Sequence, residues 1–314
     1  SNDSYTRNSW TSGKSINCHT NIIECFYLVI YNFKMIIWLA SYPKSGNTWV
    51  RHFLSSLIYS NQGKVGLEKL GFIMQYPKRD QFEKLVTNLD DFNQIRKNWI
   101  NSQNIINSDN KLSIFKTHHV LCSLGKDNFT DKKNSLGAIY IVRDPRNVIS
   151  SILYHFNLSN TEEALNFIQR EDKFIGNVKN KVNYPLHTLI GSWKTNYNSW
   201  KFFGKNFLLV KYEDLILNPN TEFKRIANYI TNTTNIKFSE EQIKKSIVES
   251  SFENLQKLED KNGFIESIKD PENKKRKKFF NLGPRNNWKK SLDQEFVNKI
   301  ENSFNDEMKE LGYI

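Results

Sequence analysis

Cysteine is scarce: Cys18, Cys25 and Cys122 are the three in 314 residues. An odd, widely spaced set gives neither a disulfide framework nor the paired spacing of a zinc site. A reducing compartment, the cytoplasm, is therefore expected. No cluster of Cys, His and carboxylates is visible, so no metal is expected. No Pro-, Gly- or Ser-rich linker divides the chain and no repeat is apparent, which leaves one domain over residues 35–314. A bilayer-spanning helix wants about 20 apolar residues, and that run is missing too. Ile22–Ala40 carries Glu24, Asn32 and Lys34, and its second half is needed as a strand before Pro43. Neither the basic start nor the small-residue cleavage site of a signal peptide stands out, and no membrane partner is expected. Met35 directly precedes that strand, so residues 1–34 read as an upstream extension that is not native. Intact-mass analysis of protein from the native source tests this; a chain containing those residues contradicts it.

What the sequence has is positive charge and enough apolar surface for a core. Its net charge is +12, with 38% hydrophobic and 13% aromatic residues, a balance that argues against general disorder. The basic excess suits a polyanionic ligand such as a nucleotide, a nucleic acid or an anionic membrane. A basic surface kept for solubility explains it equally well.

Periodicity separates the elements. Met35–Ala40, Ser113–Lys116, Ala138–Val142 and Phe207–Val210 read as short apolar strands. Helices are expected at Asn47–Tyr59, Pro145–Phe156, Thr161–Gln169, Leu189–Phe203, Thr221–Ile230 and Ser239–Ser250, with a last one near Gln294–Leu311. Strands alternating with helices predict an α/β domain, its central, mostly parallel sheet covered on both faces.

The stretch Ala40–Leu54, ASYPKSGNTWVRHFL, sits where the first strand turns into a helix. Small residues there aim backbone N–H groups at one spot, and the helix N-terminus adds partial positive charge. Lys44 adds a full charge, Ser45 and Thr48 add hydroxyls, and Gly46 lets the backbone approach a ligand. This reads as a phosphate cradle, P-loop-like but not a Walker A loop, because Lys44 precedes the glycine. A second corner follows in YIVRDPRNVISS. Arg143 ends a buried strand and can grip phosphate in a fork, or pair with neighbouring charges. Ser151 lies eight residues on, about two helical turns. Two cradles at neighbouring strand ends suggest a ligand with phosphates at both ends, placed where open α/β sheets bind ligands. In Phe115–His119, Lys116 and His118 alternate and share a side. His118 is a candidate general base, although a single histidine is more often a satisfied structural group. His119 points the other way.

Together these residues resemble the cytosolic-type sulfotransferase family, which uses 3′-phosphoadenosine 5′-phosphosulfate (PAPS). Tyr42–Trp49, YPKSGNTW, resembles its phosphosulfate loop, with Asn47 in place of a threonine. Phe115–His118 resembles its KTH segment. Arg143 to Ser151 has the spacing of its 3′-phosphate motif. Gly191–Trp200 is similar to its GSW segment, with Asn196 at a histidine position. Tyr212–Asp214 resembles its YED segment, and Ser250–Phe252 its TSF segment. The C-terminal RKG-x-x-GDW pattern survives only in Gly283 and Trp288. Asn281 and Leu282 replace the basic pair that contacts the 3′-phosphate, and Arg285 or the run Lys274–Lys278 is the candidate replacement.

The resemblance implies a sulfotransferase moving the sulfuryl group of PAPS to a hydroxyl or amine of a small-molecule acceptor, with no metal. Lys44 would stabilise the leaving phosphate, and Lys116 the sulfuryl oxygens. His118 would take the acceptor's proton. Ser45, Gly46, Asn47 and Thr48 would cradle the 5′ group, and Arg143 with Ser151 the 3′-phosphate. Trp49 would stack on adenine, with Tyr212, Ser250 and Phe252 lining the base pocket. Gly283 and Arg285 would close the C-terminal side. Trp193 reads as core.

The rivals are a P-loop-type kinase or hydrolase, a nucleic-acid binder using Lys274–Lys278, and a relative that binds PAP (3′-phosphoadenosine 5′-phosphate) but has lost turnover. A solvated face is the commoner meaning of a charge run, so no nucleic-acid partner is expected. Acceptor walls are expected from 61–79, 157–184 and 257–271. Phe72, Met74, Tyr76, Phe156 and Tyr184 are candidates there, with core packing an equal alternative. No oligomeric state is legible.

Overall fold

Four apolar segments build the central sheet: β1 (Ile36–Ser41), β2 (Ser113–Thr117), β3 (Ser135–Val142) and β4 (Phe207–Lys211). In this computed structural model, which describes residues 35–59, 66–109, 111–176, 186–270 and 273–314, they run parallel in the order β2-β1-β3-β4. The expectations for residues 1–34 and for Tyr184 lie outside the described residues. β1 sits between its two sequence successors, so the chain reverses its direction of winding between β1 and β3. That crevice, at the carboxyl ends of the strands, is the switch point where such sheets bind ligands.

β1, β2 and β3 are buried on both faces and β4 partly so, and their alternation sorts two cores. Trp38, Ala40, Phe115, Tyr140 and Val142 face one layer, and Ile37, Leu39, Ile114, Ile139 and Val210 face the other. A period of two makes that division automatic. Between β1 and β2 lie α1 (Asn47–Tyr59), α2 (Phe92–Lys97) and α3 (Trp99–Ser108). After β3 come α4 (Pro145–Phe156), α5 (Thr161–Gln169) and α6 (Trp193–Trp200). After β4 come α7 (Tyr212–Leu217), α8 (Pro219–Thr234), α9 (Glu240–Glu249), α10 (Phe252–Asn262), α11 (Gln294–Ser303) and α12 (Asn305–Glu310). The second core holds α1 and α8; the first holds α4, α5, α6 and α11. Among the described residues no helix is long and apolar enough to cross a membrane.

Several boundaries differ from the periodicity, β3 for one starting at Ser135 rather than Ala138. The helix expected over Leu189–Phe203 starts only at Trp193. Thr188–Leu189 pairs instead with Phe174–Ile175, Gly191 turns with φ +61°, and the Ser192 side chain caps the helix by accepting from Thr195 N. The C-terminal helix breaks at Phe304, where φ is −130°. α8 runs longer than expected, from Pro219 to a left-handed stop at Asn235. Helices α2, α3, α7 and α10 were not among the elements expected from the sequence. Tyr76, a candidate for the acceptor wall, is fully buried and donates to Trp99 O at 3.0 Å, so it belongs to the core.

Candidate active site

The loop after β1 is bent by two residues with positive φ, Lys44 at +69° and Gly46 at +100°. A non-glycine residue held there costs about 1–3 kcal/mol, a strain that collects at functional sites. At Gly46 a side chain is excluded twice over, because a Cβ would also lie 2.4 Å from Tyr212 Cδ2. Asn47 ties the loop back to its strand, its amide donating to Leu39 O at 3.0 Å and Ser41 Oγ at 3.1 Å. Thr48 and Trp49 then start α1. Ser45 is fully buried, yet its Oγ has no protein partner. The Lys44 amine lies 3.5 Å from His155 Nδ1 and 4.1 Å from the centre of the Phe279 ring. Burial lowers its pKa to about 7, with Glu266 pulling the other way.

The second corner abuts the first. Arg143 Nη1 donates to Lys44 O at 3.2 Å and to Ser151 Oγ at 3.3 Å. Its Nη2 lies 3.5 Å from Gly283 O, and its buried Nε has no partner. The guanidinium covers the Tyr212 ring at 4.3 Å, a cation–π contact. Tyr212 therefore touches both corners, packing on Gly46 and under Arg143. Its neighbour Glu213 accepts from Asp144 N at 3.0 Å. Trp193 is core, as expected, and its indole donates to Arg143 O at 3.2 Å, fixing the end of β3.

Lys116 is held along the edge of β2 that faces away from β1, by residues 74–76: its backbone N–H donates to Met74 O and its carbonyl accepts from Tyr76 N, each at 2.9 Å. Its amine reaches Glu266 Oε2 at 3.3 Å, while Arg51 Nη1 holds Glu266 Oε1 at 2.5 Å. Burial opposes ionisation of Glu266, but Lys116 and Arg51 outweigh it and keep the carboxyl well below its ordinary range. His118 Nδ1 lies 2.8 Å from Ser41 O. A carbonyl oxygen only accepts, so Nδ1 carries the proton and Nε2 keeps a free lone pair. Burial, then the Lys116 charge, depresses this imidazole to about 3, so it is neutral at pH 7. Asn196 is buried and donates to His118 O at 2.9 Å, so this departure from the histidine pattern holds the His118 backbone in place. His119 faces away and stacks on Phe129, with ring centroids 4.3 Å apart.

The remaining expected residues are spread around this crevice. Trp49 packs edge-on against Tyr212 and Phe223, largely buried, with its indole N–H unpartnered. Ser250 is fully buried and donates to Ser246 O at 2.7 Å within its own helix. Phe252 packs on Gly283, where an added Cβ would lie 2.1 Å from Phe252 Cε2. Arg285 is exposed, and its guanidinium donates to Asn281 O at 3.4 Å. In the basic run, Lys277 pairs with Asp270 and Asn157, Lys278 with Asp260, and Arg276 donates to Phe264 O. Of the acceptor-wall candidates, Met74 is exposed, Phe156 packs at a tilt against Phe167, and Phe72 stacks on Tyr59. Among the described residues no group of three or more His, Cys, Asp or Glu could hold a metal ion.

Five side chains at the site were not singled out by the sequence: Arg51, His155, Glu266, Asn147 and Asn286. His155 had a signal, since it lies four residues after Ser151 and shares its helical face. Asn286 had a weaker one, standing where the resemblance expects glycine. Glu266 sits in a loop without period or motif, and only the fold brings it to Lys116.

The family model described as "Sulfotransferase domain" matches residues 35–312. Flavonol 3-sulfotransferase of Flaveria bidentis is 26% identical over 284 residues, covering 88% of this chain and 83% of the relative. Sulfotransferase 1B1 of Canis lupus familiaris is 30% identical over 224 residues, covering 69% of this chain and 64% of the relative. Among solved structures, retinol dehydratase in complex with retinol and PAP superposes with a TM-score of 0.55 at 19% identity, covering 89% of this chain and 84% of that one. A mouse sulfotransferase complexed with PAP gives 0.53, also at 19% identity, covering 91% and 88%. The structural likenesses concern the fold. The family model, spanning the strand-loop-helix at Lys44, the Lys116 strand and the Arg143 corner, identifies the chain as a member of the sulfotransferase family, transferases of sulfur-containing groups.

Proposed function

We propose that this sulfotransferase takes the sulfuryl group from PAPS and passes it to a hydroxyl of a small organic acceptor. The observation that carries the reading is the joined pair of anion corners, in which Arg143 bonds both Lys44 O and Ser151 Oγ. Such a pair suits one ligand with anionic groups at both ends, a feature that separates PAPS from ATP. Two buried donors without partners, Ser45 Oγ and Arg143 Nε, border this space. Buried polar atoms are nearly always bonded, so these orphans fit a ligand's oxygens.

In the transfer, the acceptor oxygen forms a bond to sulfur as the bond from sulfur to the bridging phosphate oxygen breaks, and PAP leaves. The acceptor's proton goes to His118 Nε2, neutral at the outset and held by the Nδ1–H bond to Ser41 O. The Lys44 amine counters charge growing on the leaving phosphate. Lys116, anchored by Glu266, serves the sulfuryl oxygens. Arg143 and Ser151 hold the 3′-phosphate, and the Tyr212, Phe252 and Trp49 rings line the base side.

A mass-spectrometric screen of hydroxyl and amine acceptors with PAPS tests this reading. Transfer of a sulfuryl group, abolished in His118→Ala with PAP still bound, supports it; near-normal turnover in that variant removes His118 as the base. The flavonol named for one relative makes phenolic hydroxyls the first acceptors to try. The second reading is a relative that still binds PAP but has lost turnover through the change to Asn281 and exposed Leu282. Binding with no transfer to any acceptor would point there, and a clear preference for ADP over PAP would restore the kinase-like rival.

A further inference from the structure

Three residues of α4 and two of the segment after Gly283 form one hydrogen-bonded knot beside Arg143. Asn286 Oδ1 accepts from Ser150 Oγ at 3.0 Å, which sets the orientation of the amide. Its Nδ2 then donates to Asn147 O at 2.9 Å and to Ser151 Oγ at 3.3 Å. Asn147 is itself fixed, because its side-chain oxygen accepts from Trp288 N at 2.9 Å. Asn147, Ser150 and Ser151 are spaced three and four apart, so one helical face grips the whole segment.

The consequence falls on Ser151. A hydroxyl has two lone pairs and one proton. Arg143 Nη1 and Asn286 Nδ2 both donate to Ser151 Oγ, each at 3.3 Å. Its own O–H is left to donate, and its protein acceptor is Asn147 O at 3.3 Å, a long bond. An anion beside Arg143 would capture that proton at little cost. Asn281 and Leu282 bring no charge to this corner, and Arg285 is exposed and turned to Asn281 O. Orientation of neutral donors therefore stands where additional cations would otherwise act.

We propose that Asn286 is a positioning residue for the 3′-phosphate, fixing Ser151 so that its hydroxyl donates to that phosphate in concert with Arg143. This rests on PAPS being the donor substrate. It makes preference for a 3′-phosphorylated nucleotide depend on an amide rather than on a second cation.

Calorimetric titration of the full chain with PAP and with adenosine 5′-monophosphate, which lacks the 3′-phosphate, tests it. The ratio of the two affinities isolates the 3′ contribution, and the 5′-monophosphate reports whether the fold is intact. Asn286→Ala should lower PAP affinity roughly tenfold, the scale of one charge-assisted hydrogen bond. Asn286→Asp, of the same shape but without N–H donors, should lower it more, with 5′-monophosphate binding unchanged in both. A preserved ratio in both variants overturns the inference while leaving PAPS as donor intact. An equal fall for both nucleotides assigns Asn286 a merely structural role and also overturns it. No PAP binding by the parent protein overturns the PAPS reading itself, and this inference with it.

Discussion

The Arg143 guanidinium donates to the main-chain oxygen of Lys44, 3.2 Å away. The charged group of one corner thus braces the backbone of the other, at the residue where that backbone is strained to φ +69°. Arg143→Lys keeps the charge but loses the planar fork that serves Lys44 O and Ser151 Oγ together. PAP affinity should fall at least about tenfold, or about 1.4 kcal/mol. Calorimetry at two salt concentrations checks this. An unchanged affinity would mean that charge alone suffices at this corner.

Gly46 admits no side chain. Gly46→Ala must hold alanine at φ +100° and push the Tyr212 ring, which also supports Arg143. We expect a loss of about 2–4 kcal/mol in stability from strain and overpacking. Nucleotide binding should be lost as well. Denaturant unfolding and PAP titration on the same sample measure both.

Acid should destabilise the protein earlier than its carboxylates alone would. Burial holds His52 and His119 at about 4, and His118 and His155 at about 3, all below the ordinary 6.5. The unfolded chain therefore binds more protons than the native one between about 6.5 and 3, so stability rises with pH across that window. It is fully present above 6.5 and is lost as pH falls. Thermal unfolding between pH 7.5 and 4.5 should show the melting temperature dropping from pH 6.5 downward. A flat profile to pH 5 would contradict the buried, neutral imidazoles.

Glu266 sets the charge state of the lysines. Burial lowers the Lys44 amine to about 7, and Glu266 pulls it upward against that effect. PAP affinity should therefore decline as pH rises above 7, since the deprotonated amine no longer attracts phosphate. Glu266→Gln removes the upward pull, so the inflection should move to lower pH. It also leaves Arg51 and Lys116 without their shared carboxylate, and stability should fall. PAP titrations from pH 5.5 to 9 in both proteins provide the check. Coincident inflections would separate Glu266 from Lys44.

The sheet was legible because its strands are short, apolar and separated by amphipathic helices, and a parallel sheet needs such connections. The Lys44 and Arg143 corners were legible because their chemistry is local: a strand end, a few small or basic residues and a helix start. Glu266 was not, because it meets Lys116 across 150 positions of sequence and Arg51 across 215. The knot at Asn286 was hidden for the same reason, its partners on α4 lying 135 to 139 residues earlier. The start of α6 was missed because Leu189, Trp193, Tyr197 and Trp200 keep one helical spacing across the boundary. There Gly191 and the Ser192 cap, rather than hydrophobicity, decide the boundary.

The most direct measurement is a crystal structure of the protein with PAP. One PAP molecule should bridge the crevice between β1 and β3, its 5′-phosphate on the Lys44 loop and its 3′-phosphate on Arg143 and Ser151. PAP bound with either phosphate away from its corner, or a crevice that stays empty at saturating PAP, would contradict the account.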